Sequence, residues 1–125
     1  MAWNFSENSP VWLQIKTRIR NKIISGEYGP DEQIPTVRQL AVTAAVNPNT
    51  VQRALVMLEE DGLIYSNGTI GRFVTSDEEV LRAARTAAVK ELVQDFVKKA
   101  EYISATREEL IAMLKEEFTD ERFTG

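Results

Sequence analysis

The order of patterns along this 125-residue chain predicts a mainly α fold with one small β-hairpin: a winged helix-turn-helix followed by two further helices. Three observations carry that expectation. Three stretches in the first half repeat apolar residues at steps of three and four, the period of an amphipathic helix. The second and third of these are separated by only a few residues, the spacing of a helix-turn-helix. The period then changes to two short β-prone runs flanking Asn67-Gly68, a hairpin signal.

Taken in order, Ser9-Pro10 reads as the cap and first position of helix one, because proline's missing N–H costs nothing there. Trp12, Ile15, Ile19 and Ile23 form its inward stripe, with Trp12 expected in the core, and Gly26 closes it. The segment "EYGPDEQIP" is turn chemistry. Thr36 and Gln39 form a capping box, and Val37, Leu40, Ala41 and Ala44 carry helix two to about Ala45. Asn47 caps helix three, expected over 47–61, with Pro48 at its first position. Val51, Ala54, Leu55 and Leu58 face inward, and Gly62 ends it. "LIYS" and "RFVT" are the hairpin arms, and Gly71 is expected to mark a bulge.

Ser76 to Glu79 reads as another capping box, opening a long helix. Leu81, Ala84, Ala88, Leu92, Phe96, Ala100 and Ile103 step along one of its faces. Thr106 to Glu109 caps the last helix, which carries Leu110, Ile111, Leu114 and Phe118. The closing "TDERFTG" is expected to fray. The division expected is therefore a winged helix-turn-helix over 1–75 and a helical region over 76–125. Two helices cannot enclose much core of their own. Their apolar residues Leu81, Ala84, Ala88, Leu92, Phe96, Ala100, Ile103, Leu110, Leu114 and Phe118 are expected to pack on the first domain or on a second copy, as a dimerisation face.

Composition narrows the chemistry. The chain has no cysteine and no histidine, which removes disulfides, thiolate nucleophiles, the commonest general base and most metal sites. No P-loop and no Gly-x-Ser-x-Gly elbow appears, so an enzyme is not expected, nor is a cofactor or a bound metal. No apolar run is long enough to span a membrane, and the first ten residues lack the features of a secretory signal. A cytoplasmic protein is the expectation. The net charge of −4 argues against a general nucleic-acid binder. The acidity is uneven, however. Through Thr75 there are seven basic and seven acidic residues, against eight and twelve from Ser76 onward. The first part is neutral and free to present a local basic face.

Helix three raises the functional question. At 100° per residue, Pro48, Asn49, Gln52, Arg53 and Val56 fall opposite the apolar side. Small polar residues at its start let the helix end approach a duplex closely, where free N–H groups favour phosphate. Glutamine and arginine reach base edges. The plain alternative is a solvated helix face. The tri-helical order with a hairpin favours DNA, by analogy with other winged helices.

The combination "PVWLQI", "IISGEYGPDEQIPTVRQLA", "VNPNTVQRALVMLEEDGLIY" and "GRFV", covering Pro10 to Val74, resembles the N-terminal domain of the GntR family of bacterial transcription regulators. The short two-helix C-terminal part is similar to the YtrA-like branch of that family, which implies a homodimer. The resemblance implies DNA contacts by Arg38 at the start of helix two, by Asn47, Pro48, Asn49, Thr50 and Gln52 on helix three with Arg53 beside them, and by Asn67 and Gly68 at the wing, near Arg72. It implies a regulator reading a palindromic double-stranded operator, most simply as a repressor. Two departures stand out. The family's Pro-Gly-Asp turn is Pro30-Asp31-Glu32 here, and its Gly-x-Gly-Thr-Phe-Val wing is "NGTIGRFV", with Arg72 its single basic residue.

Other readings compete locally. Trp3, Phe5 and Trp12 could form a base-stacking platform, but Trp3 and Phe5 fit better as an N-terminal arm, on this chain or a partner subunit. Phe96, Tyr102 and Phe118 suggest either an effector pocket or an interface core, and the sequence leaves open a small-molecule effector acting between subunits. Glu108, Glu109, Glu116 and Glu117 read as solvated and capping groups. The alternative overall function is a winged-helix protein-interaction module without DNA binding.

Overall fold

The computed structural model describes residues 2–119, so the final residues expected to fray lie outside the described residues from 120 onward. Helix α1 (Val11–Ile24) begins one position later than expected. Pro10 adopts an extended ψ of 145° and is itself the cap, its carbonyl accepting from the backbone N–H of Leu13 and Gln14, and no side chain caps this end. The Gln14 side chain instead reaches back along the chain, where its amide donates to the carbonyls of Ser6 and Ser9 and accepts from the Ser6 N–H. These bonds fasten the N-terminal arm along α1, placing Trp3 and Phe5 against the core of their own chain.

Helix α2 (Val37–Ala44) starts with the expected capping box, the Thr36 hydroxyl accepting from the Gln39 N–H and the Gln39 side chain from the Thr36 N–H. It ends at Ala45, which takes φ 59° and ψ 50° with no glycine to ease the turn. A left-handed L-residue costs roughly 1–2 kcal/mol. Ala45→Gly is therefore expected to raise stability by about 0.5–1 kcal/mol, read from the urea unfolding midpoint. Helix α3 (Pro48–Glu60) follows at once, capped by the Asn47 side-chain oxygen on the Asn49 N–H at 2.8 Å.

Strands β1 (Ile64–Asn67) and β2 (Gly71–Val74) pair antiparallel, residue for residue from Ile64–Val74 to Asn67–Gly71. That unbroken register contains no bulge, which corrects the expectation for Gly71. Its role is steric: at φ 146°, a Cβ there would lie 2.5 Å from the Gln33 side-chain amide. The loop holds three residues, Gly68 to Ile70, and closes with the Ile70 N–H on the Asn67 carbonyl. On its other edge β2 bonds to the segment before α2, through Asp31, Glu32 and Ile34, and Gln33 donates to the Ile70 carbonyl. The wing is thus held on two sides. In place of the family's glycine, Asp31 adopts φ 62° and accepts a hydrogen bond from the Tyr65 hydroxyl at 2.8 Å.

The core joins Ile15, Ile19 and Ile23 of α1 to Leu40 of α2, to Val51, Ala54, Leu55 and Leu58 of α3, and to Leu63, Ile64 and Val74 of the hairpin. Trp12 is only half-buried and is not a member, contrary to expectation. Helix α4 (Glu78–Tyr102) is capped by Asp77, whose carboxylate accepts from the Glu79 and Val80 N–H groups, rather than by Ser76. Helix α5 (Arg107–Glu117) carries the expected Thr106–Glu109 capping box.

The chain divides into a unit ending at Ala87 and a second beginning at Ala88, inside α4. In the first unit, Val80, Leu81 and Ala84 pack on the winged-helix core. Leu81 and Ala84, expected on a dimerisation face, therefore serve that core. In the second unit Ala100 is buried, and Phe96, Val97, Leu110, Ile111 and Leu114 help line an apolar groove of about 410 Å³. Leu92 and Phe118 are exposed, and Ile103 lies beyond the end of α4 because the helix stops at Tyr102. Tyr102 and Phe118 do not line the groove with Phe96.

Candidate nucleic-acid interface

The start of α3 is open to solvent: Asn47, Pro48, Asn49, Gln52 and Arg53 are exposed and Thr50 half-buried. The helical period places Asn49, Gln52 and Arg53 on the side away from Val51, Ala54, Leu55 and Leu58, whose burial fixes which way the polar face points. Asn47 uses its oxygen as the cap and keeps its amide donors. Pro48 contributes no N–H at a position where none is needed, so the first turn is narrow and its dipole end unobstructed.

Arg53 is not a free surface cation. Its guanidinium carbon lies 4.3 Å from the ring centre of Trp12, joining α3 to the start of α1. Stacking engages the planar face of the guanidinium and leaves its edge donors available, which limits where they point. This explains why Trp12 stays at the surface. Arg38, the second residue of α2, is exposed, and no ion pair ties it to Asp31 or Glu32 among the described residues. Asp31 holds Tyr65, and Glu32 accepts from the Gly29 N–H.

The wing is not a basic finger. Arg72 lies in β2 opposite Ser66 and turns onto α3, where Nε donates to Glu59 Oε1 at 2.5 Å and Nη2 to Gln52 Oε1 at 3.4 Å. Ser66 also donates to Glu59. The wing tip itself presents Asn67, Gly68 at φ 52°, Thr69 and an exposed Ile70. Arg72 thus belongs to the α3 network and not to the tip. The hydrogen bond from Arg72 holds the Glu59 carboxyl below the usual carboxylate range, against the opposing effect of partial burial, with Ser66 assisting. A depressed folded-state value stabilises the fold above the ordinary carboxylate pKa and loses that contribution as pH falls through the folded value. The stability gap between parent and Glu59→Gln is accordingly expected to be widest near neutrality. It should close on acidification below about pH 4, in urea melts across pH.

Sequence reasoning missed three supporting residues: Trp12 beneath Arg53, Glu59 beside Arg72, and Gln33 against Gly71. Only the last had a local signal, the isolated glycine in a strand. Trp3 and Phe5 pack on the core, and the Arg18 guanidinium lies 4.8 Å from the Trp3 ring centre, so the arm does not form a free stacking platform. Among the described residues no group of acidic side chains is arranged to hold a metal, and no helix is long and apolar enough to cross a membrane.

A helix-turn-helix with an exposed, capped second helix and an attached hairpin defines a winged-helix domain. Residues 12–74 match the family described as bacterial regulatory proteins, gntR family, and the chain belongs to that family. It is similar over nearly its whole length to a GntR family transcriptional regulator from Listeria monocytogenes. The two share 30% identity with a TM-score of 0.79, over 90% of this chain and 98% of the other. The HTH-type transcriptional repressor YtrA of Bacillus subtilis is 27% identical over 110 residues, covering 87% of this chain and 85% of YtrA. A span of that length reaches into the C-terminal helical region, consistent with the YtrA-like branch. The DNA-binding domain of AraR, solved in complex with operator ORX1, is 30% identical with a TM-score of 0.55, over 60% of this chain and 95% of that one.

Proposed function

We propose that this regulator is a homodimeric repressor, working in the cytoplasm, that reads a palindromic operator with α3. The carrying observation is the exposed start of α3, where Asn49, Gln52 and the Trp12-stacked Arg53 share one open face. Each copy places that end in a major groove, with Arg38 on the adjoining backbone and Asn67 and Gly68 of the wing alongside. Two copies present half-sites about one helical turn, roughly 34 Å, apart. AraR's complex with its operator and YtrA's name as a repressor support the reading by similarity.

The dimer is proposed from the second unit, where Leu92, Val93, Phe96 and Ile111 are large, apolar and exposed. Ala88, Ala100, Ile103, Leu110, Leu114 and Phe118 border or extend that surface, and a second copy is its natural cover. The acidity of this half disfavours its contact with DNA. Multi-angle light scattering with hydroxyl-radical footprinting on the upstream promoter tests the proposal. A two-chain mass and two protected patches related by a dyad are expected. A one-chain mass with a single patch contradicts it.

A further inference from the structure

A glutamine that reads adenine in the major groove uses both halves of its amide, the NH2 on N7 and the oxygen on the N6 amino group. Gln52 has its oxygen directed elsewhere. Arg72 Nη2 lies 3.4 Å from Gln52 Oε1, and Arg72 is itself anchored by Glu59, which also accepts from Ser66. A guanidinium carries only donors. The amide must therefore turn its oxygen toward Arg72 and its NH2 away from it, along the open face of α3. The register of β2, with Arg72 opposite Ser66, fixes the guanidinium from the wing side.

We propose that Arg72 is a specificity-determining residue acting through Gln52, making that glutamine a donor-only reader that selects guanine over adenine. Guanine offers two neighbouring acceptors, O6 and N7, to the outward NH2, whereas adenine sets its own amino donor beside N7. The inference rests on α3 reading the major groove, as proposed above.

Selection from randomised duplexes, performed with the full chain, tests it. Gln52→Ala identifies the base pair whose preference Gln52 sets, and the parent is expected to enrich guanine there. Arg72→Met frees the amide and is expected to move that one position toward adenine by about tenfold, leaving other positions unchanged. Arg72→Thr, with a β-branched side chain suited to a strand, carries the same expectation should the methionine variant fail to fold. Adenine preferred by the parent at the Gln52 position overturns the inference while leaving the α3 reading intact. So does a guanine preference that survives both Arg72 variants. A parent whose selected site is unaffected by Gln52→Ala overturns this inference, and one unaffected by Arg53→Ala as well overturns the α3 reading with it.

Discussion

Truncating Gln52 to alanine is expected to weaken operator binding by about 1–3 kcal/mol and to relax preference at one base pair in each half-site. Arg53→Ala is expected to cost a similar amount, since its edge donors are the strongest cationic groups on the same face. The two effects have a common origin in the burial of Val51, Ala54, Leu55 and Leu58, which leaves the Gln52–Arg53 face of α3 open to solvent. Anisotropy titrations of each variant against a set of single-base operator substitutions measure both affinity and preference. Parent-like binding by both variants would place the reading face elsewhere on the domain.

Leu55→Ala is expected to lower folding stability by about 2–5 kcal/mol. Leu55 is fully buried in the cluster that joins α1, α2, α3 and the hairpin, so the cavity left behind is surrounded by three helices and a sheet. A loss of that size is a large part of the stability of an ordinary domain. Urea unfolding followed by circular dichroism measures it, with the midpoint falling at an unchanged slope. A midpoint within the range of surface substitutions would mean that α3 is not the central packing element. The DNA affinity of this variant should fall only with its folded fraction, which separates it from Gln52→Ala.

Much of the fold was legible because local chemistry and tertiary packing agree. Thr36 with Gln39 and Thr106 with Glu109 are capping boxes whose partners lie three residues apart, so sequence alone defines them. Asn47-Pro48 is the same kind of signal. Ser9-Pro10 and Ser76 misled by one position: Pro10 takes an extended ψ, and Asp77 is the better acceptor beside Ser76. Gly71 was legible as special but not in kind, because the Gln33 side chain that crowds it is 38 positions away. The helical period also hid the division of labour along α4. Leu81 and Ala84 share a stripe with Leu92 and Phe96, yet the former pack on the winged helix and the latter stay exposed.

The candidate interface was legible in its outward residues and opaque in their supports. Exposure of Asn49, Gln52 and Arg53 follows from helical spacing, which needs no knowledge of the rest of the chain. The stack of Arg53 on Trp12 and the bonds from Arg72 to Glu59 and Gln52 join residues 13 to 41 positions apart. Such pairs are set by the crossing of α1 with α3 and by strand register, not by any local pattern. Trp12 shows the consequence: an aromatic on an apolar stripe reads as core, while its actual partner is a cation on another helix.

Fluorescence anisotropy of the protein with its own upstream promoter DNA, against random DNA of equal length over a salt series, tests the central claim most directly. Tight promoter-selective binding is predicted, with affinity falling steeply as salt rises because cations on the protein displace counterions from phosphate. Equal, weak binding to both duplexes with a shallow salt slope would contradict the claim and turn attention to a protein partner for this winged helix.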